Sequence, residues 1–311
     1  MDNIYCIDRL LSDGEAVATE KKSCPGGSAA NTIYGLAKLG ISTGFIGTIG
    51  DDRHGKTILR NFNKVGTYTG GIRLVKGENT GSVICLSDRE GKRSIYIMPG
   101  ANDSLSTGDI DMSYLSKAEL VLISSFAGER QFRMLTELVI NLPNSLKLSF
   151  SPGALFANRG IEKLSPILKK TDILFVNRDE LSRIAVGSLT KGVEKCLKYG
   201  CRIVVVTLGG GSSMTGDEKA EAVDAVAYIK DKTNEYYIEA GRGKKKPLVD
   251  TTGAGDAFAA GFLYGFIINK ELDECGRLGN TVARLCIAKA GARQGLPDAT
   301  RLDVEYKKLY G

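Results

Sequence analysis

The 311-residue chain has no tryptophan and a single histidine, His54. With one imidazole, a Ser-His or Cys-His nucleophile would have to use His54, and a zinc site would lack imidazole ligands. Seven cysteines (Cys6, Cys24, Cys85, Cys196, Cys201, Cys275, Cys286) form no Cys-x-x-Cys pair. An odd, scattered set predicts reduced thiols in a cytoplasmic protein, buried as small hydrophobes rather than bound to metal. No apolar run approaches the length of a membrane span, and no basic-then-apolar leader opens the sequence, so no membrane association is expected. A strong excess of either charge is lacking too: Lys plus Arg number 42 against 36 for Asp plus Glu, a net +6. That excess is spread along the chain and suits an anionic small molecule as well as a nucleic acid, so it selects neither.

What is present is an ordinary globular composition, 42% apolar and 25% charged, in a length that fits one large α/β domain or two smaller ones. GGSAANTIYGLAKLG opens with glycines, carries apolar residues at helical spacing (Ala30, Ile33, Ala37) and stops at Gly40. STGFIGTIG reads as a strand, and residues 55 to 65 as a helix ending at Gly66. IYCIDRL, EAVATEKK and three pieces within 68 to 98 read as short, half-polar strands, the latter three forming a small antiparallel sheet beside the main body. From residue 118 the rhythm changes. AELVLISS, SLKLSFS, DILFVN and CRIVVVTLGG are continuous apolar runs, each followed by a helix-like segment. Such runs are typical of parallel strands buried on both faces, with crossover helices. EAVDAVAYI follows, then the basic GRGKKKPL (241–248), read as a solvated loop, then LVDTTGAGDAFAAGFLYGFII, read as strand, glycine turn and helix.

Two glycine turns compete for a phosphate. GDDRHGKT (50–57) fits the phosphate-loop pattern in a strand–loop–helix context. Yet Asp51 and Asp52 lie inside it. At ~6 Å and an effective dielectric of ~20, one carboxylate repels one phosphate charge by roughly 3 kcal/mol. A phosphate-loop enzyme also needs a strand ending in a magnesium-binding aspartate, and LVLISS, ILFVN and IVVVTLGG end without one. Asp51 is therefore expected to face a hydroxyl-bearing ligand and Asp52 to cap the following helix. In DTTGAGDAF (250–258), Gly253, Ala254 and Gly255 expose bare backbone where a helix begins. Successive N–H groups and the helix dipole make an anion site there. Asp256, in the first turn, could simply complement the dipole. An anion hole with a carboxylate at its rim is also what phosphoryl transfer to a hydroxyl needs, and the dipole should keep Asp256 ionised.

DTTGAGDAFAAGF resembles the C-terminal signature of the ribokinase-like, or PfkB, family of carbohydrate and nucleoside kinases. GGSAANTIYGLAKLG followed by GFIGTIGDDRHG resembles that family's N-terminal signature, some two hundred residues earlier and in the right order. The resemblance covers nearly the whole chain. It implies one kinase domain over 1–311, a three-layer α/β/α fold with a mostly parallel central sheet and a small β-sheet lid at about 3–24 and 68–98. It implies ATP and Mg²⁺, with Asp256 as general base and the backbone of Gly253, Ala254 and Gly255 as anion hole. NRDE (177–180) matches the family's Asn-x-x-Glu motif, so Asn177 and Glu180 would position Mg²⁺ and phosphates largely through water. By residues alone it is a polar strand end capping a helix. Thr207 and Gly209 in TLGGG fall where the family lines the nucleotide site, or else form a hairpin turn; Asn280 falls in the helix beside the adenine. AGARQG (290–295), with Asp250 and Thr252, occupies the loop that binds a monovalent cation such as K⁺ in some members. Asp2, Gly26, Gly27 and Asn31 match the acceptor positions, with Asp51 nearby. The lid implies a homodimer contact, and the partner implied is a small sugar or nucleoside rather than a nucleic acid or a membrane.

Two features depart from the family pattern. Members usually begin with a buried strand ending in the aspartate that matches Asp2, so the expected chain has a further apolar strand upstream of Met1. SFSPG (149–153) has serines where many relatives place an aspartate, which leaves the acceptor open. The reading is phosphoryl transfer from ATP to a hydroxymethyl group of a sugar, the alternative a nucleoside kinase of the adenosine type. From another class, a non-catalytic sugar sensor would lack the base or an anion-hole glycine, and all are present. A dinucleotide oxidoreductase would need a third glycine and an earlier position in the chain.

Overall fold

The computed structural model describes residues 1–6, 19–87, 93–209, 224–242 and 248–311. Its strands are β1 (Asp2–Cys6), β2 (Thr19–Cys24), β3 (Gly44–Gly50), β4 (Tyr68–Val75), β5 (Ser82–Ser87), β6 (Arg93–Met98), β7 (Leu120–Ser124), β8 (Lys147–Ser151), β9 (Ile173–Asn177), β10 (Ile203–Thr207), β11 (Ala225–Lys230) and β12 (Glu235–Glu239). Its α-helices are α1 (Ser28–Lys38), α2 (Arg53–Lys64), α3 (Met112–Leu115), α4 (Glu129–Asn141), α5 (Gly153–Ala157), α6 (Gly160–Leu168), α7 (Arg178–Ile184), α8 (Leu189–Lys198), α9 (Ala254–Ile267), α10 (Leu272–Ile287) and α11 (Ala299–Tyr310).

The largest sheet runs β12-β11-β10-β9-β8-β7. The four apolar runs from residue 118 onward form its parallel half, and β11 and β12 add antiparallel strands at one end. Successive side chains of a strand point to opposite faces. Leu174, Val176, Val204 and Val206 therefore face one core, filled by Leu135, Leu164, Ile167, Leu181 and Val193 from α4 to α8. Ile173, Phe175 and Val205 face the other, filled by Leu36 of α1 and Phe258, Phe262 and Leu263 of α9. Phe175 meets Phe262 edge to face, with ring centroids 5.3 Å apart. Helices on both faces make three layers. α9 is apolar nearly all round because it lies between the sheet, α1 and α10.

A second sheet, ordered β2-β1-β5-β6, holds the described parts of the segments expected to form the lid, with β1 and β5 parallel. Of the three pieces within 68–98, β5 and β6 pair antiparallel as expected, but β4 does not join them. β4 pairs in parallel with β3, because TYTGGIRLV follows a helix that returns the chain alongside GFIGTIG. The β3–β4 pair and the large sheet are separate hydrogen-bonded sets. Residues 7–18 (the end of IYCIDRL and the first half of EAVATEKK), residues 88–92, and the basic cluster at 243–247 lie outside the described residues. LVD (248–250) is not a strand. Its chain is held instead by the amides of Val249 and Asp250, which both donate to Ile287 O (2.9 and 3.2 Å). No helix among the described residues is long and apolar enough to cross a membrane.

Candidate active site

The site is built around the start of α9. Gly253 precedes the helix in the left-handed region, φ 75°. A Cβ there would lie 2.5 Å from Ala292 Cβ, so both the turn and the close approach require glycine. No side chain caps α9. Ala254 N–H turns back to Thr251 O (3.2 Å), while a Cβ added to Gly255 would meet nothing within 4 Å. The uncapped first turn thus presents backbone donors and the positive end of the helix dipole to open space. Asp250 locks this turn in place. Its Oδ1 accepts from the N and Oγ1 of Thr252 (2.9 and 2.7 Å), and its Oδ2 accepts from Gly291 N (2.8 Å).

Asp256 is gripped from α1. Ser28 Oγ donates to its Oδ1 and Asn31 Nδ2 to its Oδ2, each at 2.8 Å. Thr32 Oγ1 donates to its carbonyl (3.3 Å). Burial pushes the Asp256 carboxyl above its ordinary range; the bonds from Asn31 and Ser28 offset part of this, nearby Asp2 adds to it, and Arg293 opposes it.

Asp2, at the start of β1, lies against the bare Cα of Gly26: a Cβ there would be 2.0 Å from either carboxylate oxygen. Burial raises the Asp2 carboxyl, while the Met1 ammonium and Arg293 lower it. Gly27 (φ 94°) precedes α1, and its carbonyl accepts from Asn31 N (2.8 Å). Asp2, Gly26, Gly27, Asn31, Gly253 and Asp256 therefore form one group.

A second group stands at the strand ends. Asn177 and Thr207 are register partners at the C-terminal ends of β9 and β10. Asn177 caps α7 in a reciprocal box: its Oδ1 accepts from Glu180 N (2.8 Å), and Glu180 Oε2 accepts from Asn177 N (3.0 Å). Burial raises the Glu180 carboxyl, the Asn177 N–H lowers it, and Asp256 raises it again, so the second group lies within electrostatic reach of the first. The box leaves Glu180 Oε1 for a further partner. No group of three or more His, Cys, Asp or Glu among the described residues could enclose a metal directly. This donor set fits a hydrated Mg²⁺ held through water. Gly209, at φ 77°, follows Thr207, and residues 210–223 lie outside the described part.

Two expected residues are paired with other groups. Asp51 is exposed beside Lys56 (3.5 Å). Asn280 is buried, and its amide donates to Ala240 O (3.0 Å) and Tyr310 Oη (2.6 Å), tying α10 to the C-terminal helix. The first turn of α2 is already filled. Asp52 accepts from Gly55 N (2.7 Å), Thr80 N (2.9 Å) and Thr80 Oγ1 (2.6 Å), so its own carboxylate occupies the place a phosphate would need. Ser28, Thr32 and Arg293 were not anticipated. The first two sit inside the glycine signature, Ser28 at the first position of α1 and Thr32 about one turn later. Arg293 carries no signal, since an arginine in a loop reads as solvated.

Residues 2–299 match the pfkB family carbohydrate kinase model. The chain belongs to the pfkB family of carbohydrate kinases. This kinase is 36% identical over 263 residues to an uncharacterized sugar kinase of Archaeoglobus fulgidus, covering 85% of this chain and 98% of that one. It is 28% identical to the ATP-dependent ribose-1-phosphate kinase of Halopiger xanaduensis, covering 92% and 88%. Its fold superimposes with a TM-score of 0.79 on Arabidopsis thaliana ribokinase complexed with ribose and ATP, at 26% identity, covering 98% and 95%. The kinase is a phosphotransferase, and its ribokinase-like fold accounts for the two residue groups meeting at the strand ends and the start of α9.

Proposed function

We propose that this kinase transfers the γ-phosphoryl group of ATP to a hydroxymethyl group of a sugar. One observation carries the reading: Asp256 is held by Ser28 and Asn31 at the uncapped start of α9, beside Asp2. Asp2, Gly26, Gly27 and Asn31 would hold the sugar, their carboxylate and amide accepting and donating to hydroxyl groups. Asp256 would take the proton of the attacking hydroxyl as its oxygen bonds to the γ-phosphorus and the bond to the β–γ bridging oxygen breaks, releasing ADP. An acid raised above its ordinary range is a stronger base once ionised. The amides around Gly253, Ala254 and Gly255 would stabilise charge on the phosphoryl oxygens in flight. Thr207 and Gly209 would line the nucleotide. Asn177 and Glu180 would hold the waters of Mg²⁺, which supplies charge neutralisation on the phosphates. K⁺ would sit where Asp250 joins the Thr252 turn to the 290–295 loop, stiffening the anion hole. Closure of the lid sheet would exclude water, and its exposed apolar strand Ile95–Met98 suits a homodimer contact. Cys196, Cys201, Cys275 and Cys286, free and buried, are in keeping with a cytoplasmic setting.

The test is ADP release with Mg·ATP across a panel of pentoses, hexoses, their monophosphates and nucleosides. Turnover with a free sugar bearing a primary hydroxyl is expected. Turnover confined to nucleosides would replace the sugar by a nucleoside, and transfer to a sugar phosphate alone would place a second phosphate in the acceptor pocket.

A further inference from the structure

Arg293, in the loop between α10 and α11, is only 6% exposed, which is rare for a guanidinium. Its three hydrogen bonds all go to neutral acceptors. Nε donates to Asn31 Oδ1 (2.8 Å), Nη1 to Asn61 Oδ1 (2.9 Å) and Nη2 to Gly26 O (3.1 Å). The rings of Tyr34 and Phe62 flank it, with centroids 5.1 and 5.5 Å away. Burying a cation among neutral partners is costly, and a fold keeps such a group where its fork has work to do.

That work is visible in Asn31. A side-chain amide can turn over and exchange its oxygen and nitrogen. Arginine has no acceptor, so the atom of Asn31 facing Nε must be Oδ1. The other atom is then Nδ2, and it donates to Asp256. The same guanidinium holds Gly26 O, and Gly26 is the surface on which Asp2 rests. We propose that Arg293 is a positioning residue that sets Asp256 through Asn31 and the acceptor cradle through Gly26, making one rigid unit of both. This rests on the assignment of Asp256 as the base. Without Arg293, only Asp256 itself orients Asn31, and a protonated Asp256 could face either end of the amide, so the geometry of the pair is no longer fixed.

Charge gives a second consequence. The groups acting on Asp256 come from several elements: Asp2 of β1, Glu180 of α7, Cys286 of α10 and Arg293. Arg293 is the cation among them, and without it only the hydrogen bonds from Ser28 and Asn31 remain to favour ionisation.

The experiment compares Arg293→Gln, Arg293→Lys and Asp256→Asn with the parent, on the acceptor that the panel identifies, with thermal melting as a check on folding. In Arg293→Gln, kcat should fall roughly 10- to 100-fold, the scale of a small misplacement of a reacting group. KM for ATP should stay within about twofold, and the acid limb of the kcat profile should move to higher pH. Arg293→Lys keeps the charge but not the fork. It should leave the acid limb unmoved and still lower kcat about tenfold. If Arg293→Gln does not fold, the lysine variant decides alone. Arginine-to-lysine turnover within twofold of the parent would overturn the proposal, as would a loss of kcat matched by an equal rise in KM for ATP. Should Asp256→Asn remain active, the base assignment itself fails; should it be inactive while the Arg293 variants match the parent, only the positioning role fails.

Discussion

Replacing Gly253 by alanine tests the anion hole most directly. The residue sits at φ 75°, where a side chain costs roughly 1–2 kcal/mol. The new Cβ would also lie 2.5 Å from Ala292 Cβ and 2.9 Å from Ala292 Cα. Carbon atoms rest at about 3.5–4.0 Å, so one backbone segment must retreat by about 1 Å. Ala292 cannot do so freely, because its neighbour Gly291 is bonded to Asp250. Overpacking of this kind costs about 1–3 kcal/mol, for a total of roughly 2–5 kcal/mol. A domain stable by about 5–15 kcal/mol remains folded at 25 °C, with a melting temperature lower by on the order of 10 °C. The retreat falls on the first turn of α9, so donors aimed at the phosphoryl group are displaced. Loss of one such donor lowers kcat about 10²- to 10³-fold. Circular dichroism melting and a coupled assay of ADP release read the two effects separately. A folded Gly253→Ala protein turning over within threefold of the parent would refute the assignment of this turn as the anion hole.

Asp256→Asn should melt within a few degrees of the parent and lose about 10²- to 10⁴-fold in kcat, the usual contribution of a general base; near-normal turnover would remove the base. Because burial raises the Asp256 carboxyl, kcat/KM should fall as the pH drops through a value above about 4, the ordinary aspartate figure. The pH profile checks the sign, and an acid limb at or below 4 contradicts it. Lys56→Ala should leave KM for ATP within twofold, since Lys56 is exposed beside Asp51 and the turn before α2 is filled by Asp52; a large rise in KM for ATP would restore the phosphate-loop reading of GDDRHGKT.

The parts of the fold legible in the sequence are those fixed by local pattern. LVLIS, LSF, ILFVN and IVVVT are continuous apolar runs, and the parallel strands they became need nothing more. The glycine turn before Asp256 was legible because a left-handed φ and an uncapped helix both leave a mark in residue type. β4 was misassigned to the lid because a half-polar strand reads alike on a lid and on the edge of a parallel pair. LVD looked like a strand since three apolar and acidic residues cannot reveal that their amides turn to Ile287. Asp51 and Asn280 illustrate the opposite limit. A polar side chain in the expected segment can be claimed by a nearer partner, Lys56 in one case and Tyr310 in the other. Arg293 was invisible because its meaning lies wholly in residues far along the chain.

That distance has a consequence for the chain as it is made. Asp256 is held by residues 228 and 225 positions earlier, and Arg293 meets Asn31 across 262. A ribosome adding about 5–20 residues per second needs on the order of 10–50 s to travel from Ser28 to Asp256. Throughout that interval the nascent polypeptide carries Ser28 and Asn31 without the carboxylate they grip. The set closes only once synthesis has passed Arg293, so no shorter nascent segment can assemble it.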